Sequence, residues 1–416
     1  MSLSDFKPMQ ERCSNCSYCK WIPFDQVKSA RFAENCPSEC FNNFNTYSAR
    51  GRFQAGLAVV NDELDYDERF LDVVFSCLDC GSCDVSCKIC RYNLDPLEHN
   101  RELKHDAVKK GNIIPALQRV AESLKTERTM LSGKKKADRA AWADGIAWAE
   151  DADVLFFPGC KYSYEEAYQK TARQSAEIIL NAGVKLGYLG AADVCCGGRL
   201  YQAGLFEEFD RQAENLLKTF ELKKITTIVT PCSDCYYSLK RLYAEKGMKV
   251  EVLHVVEFID KLISEKKLTF TNCIDKTVTY HDPCHLGRQG ETYEAWNGKE
   301  KKILNQIHTW EPERPRYNGA HGIYDAPRRI LQAIPGLKLV EMERIREYSW
   351  CCGAGGCMTD VNPELSLYAA GERVAEANST GADILVTACP WCRSNFETAG
   401  GIEVADILDL VARAMK

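Results

Sequence analysis

Ten of the 22 cysteines fall into two sets of five that share one grammar: a lone cysteine, an adjacent pair followed by glycine, and a C-x-x-C. The first set is Cys160, then Cys195-Cys196-Gly197, then Cys232-Ser233-Asp234-Cys235. The second is Cys284, then Cys351-Cys352-Gly353, then Cys389-Pro390-Trp391-Cys392. Thiolates grouped in this way are soft metal ligands, and the density of sulfur points to iron–sulfur chemistry rather than to a packed core. A single C-x-x-C between a strand and a helix would suit a redox dithiol, but that leaves the adjacent pairs unexplained. A conventional cubane needs only four ligands, so five thiolates imply an unusual core or a bridging thiolate. The glycine after each pair lets the backbone approach a cluster without a Cβ in the way and offers N–H groups to sulfur.

A second kind of sulfur run lies nearer the N-terminus. Cys77, Cys80, Cys83 and Cys87 have the spacing of a bacterial ferredoxin, in which three close thiolates cap one cluster and the fourth ligates the other. The partner run is Cys13, Cys16 and Cys19, with Cys36-Pro37 following after an insertion. Cross-ligation would then make one cubane from Cys13, Cys16, Cys19 and Cys87, and another from Cys77, Cys80, Cys83 and Cys36. Cys40 and Cys90 compete for the fourth positions, and Lys88 stands where a proline would follow Cys87. Structural zinc also uses C-x2-C pairs, but three cysteines at successive three-residue steps are unusual for a tetrahedral site.

These cysteines need elements to hold them. Residues 1–110 are turn-rich and carry the N-terminal cysteines, and residues 111–152 are charged, helix-prone and free of cysteine, with Lys134-Lys135-Lys136 in a solvated linker. Beyond them, short β-rich runs alternate with amphipathic helices, the α/β pattern. Ile225–Thr230 and Ile384–Thr387 are strand candidates that run into a C-x-x-C and then a helix, placing the thiols where free N–H groups favour negative charge. Val278-Thr279-Tyr280 before Cys284 answers Leu155-Phe156-Phe157 before Cys160, and Val256–Ile263 answers Ala405–Val411 as a closing helix. Two related domains in series are expected, at 153–270 and 271–416. Sixty-six residues separate Cys284 from Cys351 against 34 in the first copy. Residues 290–320 therefore read as an insertion, either a surface loop or a lid or docking arm. Gly353-Ala354-Gly355-Gly356 follows no clear strand and has Met358 where a dinucleotide loop requires glycine.

Composition narrows the setting. With 45% apolar and 27% charged residues over 416 positions, the chain is expected to be globular, with several domains. Scattered lysines and a net charge of −6 give no footprint for nucleic acid. No run approaches the 18 or so apolar residues of a membrane span, and no apolar signal segment precedes Cys13, so a cytoplasmic protein is expected, or one peripheral on the cytoplasmic face of a membrane.

The paired arrangement resembles the CCG domains of heterodisulfide reductase, and a two-cluster ferredoxin fused to two such domains is similar to the D-type subunits of that enzyme. Tyr280-His281-Asp282-Pro283-Cys284-His285-Leu286-Gly287, Tyr324-Asp325-Ala326-Pro327-Arg328 and Ser349-Trp350-Cys351-Cys352-Gly353 carry the likeness as well. The fold implied is multidomain: an α-helical ferredoxin-like N-terminal domain followed by two duplicated α/β CCG domains. The resemblance further implies two cubane [4Fe–4S] clusters in the N-terminal domain and a noncubane [4Fe–4S] cluster in each five-cysteine set, the latter two facing a common disulfide-binding cleft. Disulfide reduction takes two electrons and two protons, so two facing clusters could each take one sulfur and give one electron. His281 and His285 flank Cys284 as proton donors or as orienting groups; Arg328 and Arg329 could bind an anionic substrate or be surface charge. Cys273 and Cys357 are expected to be buried free thiols. The expected function is an iron–sulfur oxidoreductase subunit that reduces a small-molecule disulfide or oxidises thiols, served by flavin- or iron–sulfur-containing subunits or by a membrane cytochrome or quinone partner. The alternative is a non-catalytic electron-transfer subunit linking a flavin or membrane partner to another reductase, such as a low-potential aromatic acyl-CoA reductase complex.

Overall fold

Two four-stranded parallel sheets form the core of the molecule, and they have the same strand order. The computed structural model describes residues 2–89, 93–294, 296–304 and 307–415; Cys90, one competitor for a fourth ligand position, lies outside them. The first sheet contains β1 (Val154–Phe156), β2 (Leu186–Gly187), β3 (Thr227–Thr230) and β4 (Glu251–His254), in the order β2-β1-β3-β4. The chain then enters β5 (Lys276–His281), leaves the sheet for a hairpin of β6 (Lys299–Ile303) and β7 (Ile307–Glu311), and returns through β8 (Leu337–Leu339), β9 (Ile384–Thr387) and β10 (Glu403–Asp406). The second sheet reads β8-β5-β9-β10, so within each sheet the strands stand 2-1-3-4. Leu155 faces Ile228 across β1 and β3, and Thr279 faces Leu385 across β5 and β9. Helices cover both faces of these strands, and Ile228, Val229, Ile384, Leu385 and Val386 are wholly buried, which is why the runs are apolar rather than alternating. The closing helix of the second copy starts at Ile407; Ala405 and Asp406, read as helical, belong to β10.

The segment before β1 is helical, with Ala49–Val60, Glu68–Phe75, Ser82–Ile89, Pro96–Lys109 and Pro115–Glu127 as its longer helices. The lysine run is solvated as expected, but the chain just beyond it is not a free linker. Arg139 and Trp142 are 1% and 2% exposed, and Trp142 and Trp148 pack with Phe156 and Tyr188 against the first sheet. The insertion is a two-stranded antiparallel hairpin rather than an irregular loop. It leans on the N-terminal helices through Arg12–Glu300 at 2.6 Å, and the segment after it through an Arg314–Asp95 pair.

Side chains tie the three parts together. Lys104 Nζ donates to the carbonyls of Cys77 at 2.9 Å and Gln202 at 3.0 Å, and Gln289 Nε2 donates to the Asp79 carbonyl at 2.7 Å. Between the sheets, the Tyr162 hydroxyl donates to Asp406 and the Thr171 hydroxyl to Asp409 at 2.7 Å.

Candidate iron–sulfur centres

Each C-x-x-C begins where a buried strand ends. Cys232 and Cys389 are the N-caps of Ser233–Tyr237 and Pro390–Ala399, which follow β3 and β9, and Cys160 opens a helix after β1. The adjacent pairs sit on turns with glycine in the left-handed region, Gly197 at φ 75° and Gly353 at φ 93°. A Cβ on Gly353 would meet the Ser366 carbonyl at 2.2 Å, so no other residue fits there. The two turns make the same bond: the Gly197 and Gly353 N–H groups donate to Cys195 Sγ and Cys351 Sγ, each at 3.4 Å.

The ten sulfurs follow one another in one continuous run, each close enough to shift its neighbour's hold on a proton. It runs from Cys160 to Cys195, Cys196, Cys235 and Cys232, crosses to Cys389, and continues through Cys392, Cys352 and Cys351 to Cys284. The crossing from Cys232 to Cys389 joins the two domains at the middle. All ten are at most 9% exposed. Neighbouring sulfurs hold protons unequally: Cys195 and then Cys235 pull the Cys196 thiol well below its ordinary value, and Cys351 and then Cys392 do the same to Cys352. Five convergent, partly ionised sulfurs per set, with backbone N–H donors aimed at them, are a donor set that fits a polynuclear iron–sulfur cluster.

Arginines that the sequence did not single out complete both sets. Arg139 reaches Cys160 Sγ at 3.3 Å while its Nε holds Asp193 at 2.8 Å. Arg288 reaches Cys284 Sγ at 3.1 Å and also donates to the carbonyls of Cys80, Glu347 and Ser349. Arg288 lies four residues after Cys284, a spacing that could have flagged it; Arg139 comes from the segment before the first sheet and carried no signal.

The two histidines occupy different places. His281 is fully buried, and its Nδ1 accepts from Arg373 Nε at 3.1 Å, which leaves Nε2 to carry the proton beside Cys352. Burial, and then the Arg373 charge, hold its pKa below the ordinary value even though Cys352 opposes them. His285 lines a narrow cleft against the sulfurs of the second set, with Ser233, Asp234, Ala354 and Trp391. Its Nδ1 is 2.5 Å from Asp234 Oδ1, its ring stacks on Tyr237, and Asp79 lies 4.0 Å from Nε2. Burial works against its charge, but Asp234 and Asp79 outweigh it and raise the pKa.

Among the N-terminal cysteines, Cys13, Cys16, Cys19 and Cys87 line one cavity of about 310 Å³. Cys36 and Cys83 feel the charge of Cys80, and Cys83 that of Cys77. Cys80 lies against Cys351, which pulls its pKa to about 5, so this group adjoins the second five-cysteine set. Burial, and then the charges of Cys36 and Glu34 beside it, push the Cys40 thiol up.

Other expectations change. Arg328 is committed internally, in a fork to Asp282 at 2.7 and 3.0 Å and a second to Glu341, and Arg329 makes a surface pair with Asp260. Neither faces the cleft. Cys357 is buried as expected, but Cys273 is exposed, under the Gly336 turn. Gly355 and Gly356 press against the carbonyls of Leu78 and Cys77, which is why that glycine run admits no side chain.

Duplicated α/β domains that meet through two five-cysteine sets define an iron–sulfur oxidoreductase component of the cysteine-rich CCG class, and the model of that cysteine-rich domain matches residues 154–240 and 313–397. The D-type subunit of the dihydromethanophenazine:CoB–CoM heterodisulfide reductase of Methanosarcina mazei is 30% identical over 97% of this chain and 94% of its own length. The chain belongs to this family of D-type heterodisulfide reductase subunits. More distant relatives include a probable iron–sulfur-binding oxidoreductase of Bacillus subtilis, FadF, 26% identical over 85% of this chain and 49% of its own. The B-type subunit of the fumarate reductase (CoM/CoB) of Methanothermobacter marburgensis is 25% identical, over 82% and 61%.

Proposed function

We propose that this protein reduces a small-molecule disulfide, or oxidises the corresponding thiols, at a pair of noncubane [4Fe–4S] clusters held by Cys160, Cys195, Cys196, Cys232 and Cys235 and by Cys284, Cys351, Cys352, Cys389 and Cys392. The observation that carries the reading is the unbroken run of sulfurs with its crossing at Cys232 and Cys389, which brings the two ligand groups against each other. Bound clusters supply electrons one at a time and iron that can take a substrate sulfur. Two such groups match the two electrons that convert a disulfide into two thiolates; two protons complete the thiols.

His285 is placed to give one of those protons. It lies on the cleft wall, Asp234 favours its charged form, and its Nε2 has no hydrogen-bond partner among the described residues. His281 has the other role: fixed by Arg373 behind Cys352, it orients that sulfur and does not face substrate. In a ferredoxin-like domain at 1–110, Cys13, Cys16, Cys19 and Cys87 would hold one cubane cluster and Cys77, Cys80, Cys83 and Cys36 another, and such clusters would supply one-electron transfer toward the inner sets. The closeness of Cys80 to Cys351 supports delivery to the second set first. Residues 153–270 and 271–416 act as the two catalytic halves, joined to the N-terminal domain through residues 111–152. The protein works with a flavin- or iron–sulfur-containing partner, or one at a membrane, from the cytoplasmic side; among the described residues no helix is long and apolar enough to cross a membrane.

The test is EPR of anaerobically purified protein with iron and sulfide analysis, titrated with thiols and disulfides. A paramagnetic species that appears only when oxidised protein meets a thiol supports the reaction. Signals indifferent to every thiol, in a protein whose clusters still exchange electrons, leave it an electron-transfer component.

A further inference from the structure

The duplication allows the two five-cysteine sets to be compared position by position, and the residues around the sulfurs do not match. In register, Asp193 stands where Ser349 does, two residues before each adjacent pair, and Asp234 stands where Trp391 does, inside each C-x-x-C. Phe157 and Pro158 stand where His281 and Asp282 do, ahead of each lone cysteine.

Each set has one arginine on its lone cysteine, and the two differ in what else they hold. Arg139 lies 3.3 Å from Cys160 Sγ, but its Nε is 2.8 Å from the Asp193 carboxylate, in a pair that is almost fully buried. Arg288 lies 3.1 Å from Cys284 Sγ and gives its other donors to backbone carbonyls, that of Ser349 among them at 2.7 Å. It makes no ion pair among the described residues. One guanidinium is neutralised beside its sulfur, and the other brings a whole positive charge to it.

The remaining carboxylates do not restore the balance. Asp234, near the first set, is answered by His285 at 2.5 Å, and Asp282, near the second, by Arg328 at 2.7 and 3.0 Å. His281 adds to the difference: a ring nitrogen lies within 4.8 Å of the Cys352 and Cys392 sulfurs, where Phe157 has no donor to offer the first set. Behind His281, Arg373 and Arg344 share one buried carboxylate, that of Glu376. Buried charges of this kind are poorly screened, and net charge and hydrogen bonds to sulfur are what set the potential of an iron–sulfur cluster.

We infer that these differences place the two sites at unequal potentials, with the second set holding a cluster in its reduced form more firmly than the first. Arg288 and His281 tune the second set, and Asp193 is the counter-charge that withholds the same advantage from the first. This rests on the proposed pair of clusters. Cys80 lies against Cys351 of the second set, so the site next to the N-terminal sulfurs is also the one that keeps an electron, and the first set fills after it. The two halves then act in a fixed order and are not interchangeable.

The test is a redox titration of cluster-loaded protein without thiol, followed by EPR, with Cys196→Ser and Cys352→Ser marking which signal belongs to which set. At one applied potential the ratio of reduced to oxidised centre should be at least tenfold higher in the second set, a separation of about 59 mV for one-electron couples. Asp193→Asn keeps an acceptor for Arg139 and removes only the charge, so it should raise the potential of the first set and leave the second unmoved. His281→Phe, which copies the first half, should lower the second alone. If the two sets titrate together, or the first is the more easily reduced, the inference is overturned, while a spectrum that still changes with thiol keeps the reaction. If Asp193→Asn leaves the first set where it was, that carboxylate is only structural and the inference falls as well. If iron and sulfide fill only the N-terminal sites, the proposed reaction fails and takes the inference with it.

Discussion

Arg288 shows how much one side chain can carry here. It bonds Cys284 sulfur and three backbone carbonyls from two parts of the chain, so Arg288→Gln leaves several buried acceptors without donors. The expected cost is about 2–4 kcal/mol in chemical denaturation. Removing a positive charge and a hydrogen bond beside a ligand sulfur should also make the cluster harder to reduce, and a redox titration of the holoprotein will show its potential moving downward. The competition for the fourth N-terminal ligand is equally testable. Cys40 faces the Glu34 carboxylate as well as Cys36, whereas Cys36 lies in the field of Cys80 and Cys19. Cys36→Ser should therefore lose about one cluster's worth of iron and sulfide, and Cys40→Ser should keep its full content.

At the level of elements, the joint between the two domains is built from β10 and the helices around it, and one of its groups titrates. Asp406 accepts from Tyr162 and is fully buried; burial first, and then the charge of Asp409, push its pKa up to about 7. A folded pKa above the ordinary 3.8 means that the protonated form contributes fully below about pH 4 and that this contribution fades as pH rises through about 7. Asp406→Asn cannot ionise, so its stability relative to wild type should rise across that window by up to about 4 kcal/mol, read as the difference between denaturation midpoints at pH 4 and pH 8. These elements were unequally legible. The runs at Ile225–Thr230 and Ile384–Thr387 could be read as strands because apolar β-branched residues end abruptly at a C-x-x-C, and β3 and β9 lie within them. The hairpin was not readable, since Lys299–Ile303 and Ile307–Glu311 are mostly charged or polar and pair only with each other. Nor was Arg139, because a long side chain that closes a site from a remote segment leaves no local pattern.

Taken whole, the molecule grades from open to sealed. Cys16 is exposed, and the ten cysteines of the inner sets are nearly inaccessible. Electrons from a bulky donor should therefore enter at the Cys13–Cys19 end. Cys16→Ser should slow reduction by a protein donor far more than reduction by dithionite, with stopped-flow bleaching of the cluster absorbance as the measure. Equal slowing would mean that the donor docks elsewhere.

The contact of Leu78 and Cys77 with Gly355 and Gly356 has a consequence for biogenesis. The backbone of the N-terminal segment rests directly on the turn that presents Cys351 and Cys352, with no room for even a methyl group between them. That contact closes one side of the second set. Installing its metal should therefore be easier on a chain whose first hundred residues are still undocked, and refolding with iron and sulfide present from the start should give more loaded protein than supplying them after the chain has closed.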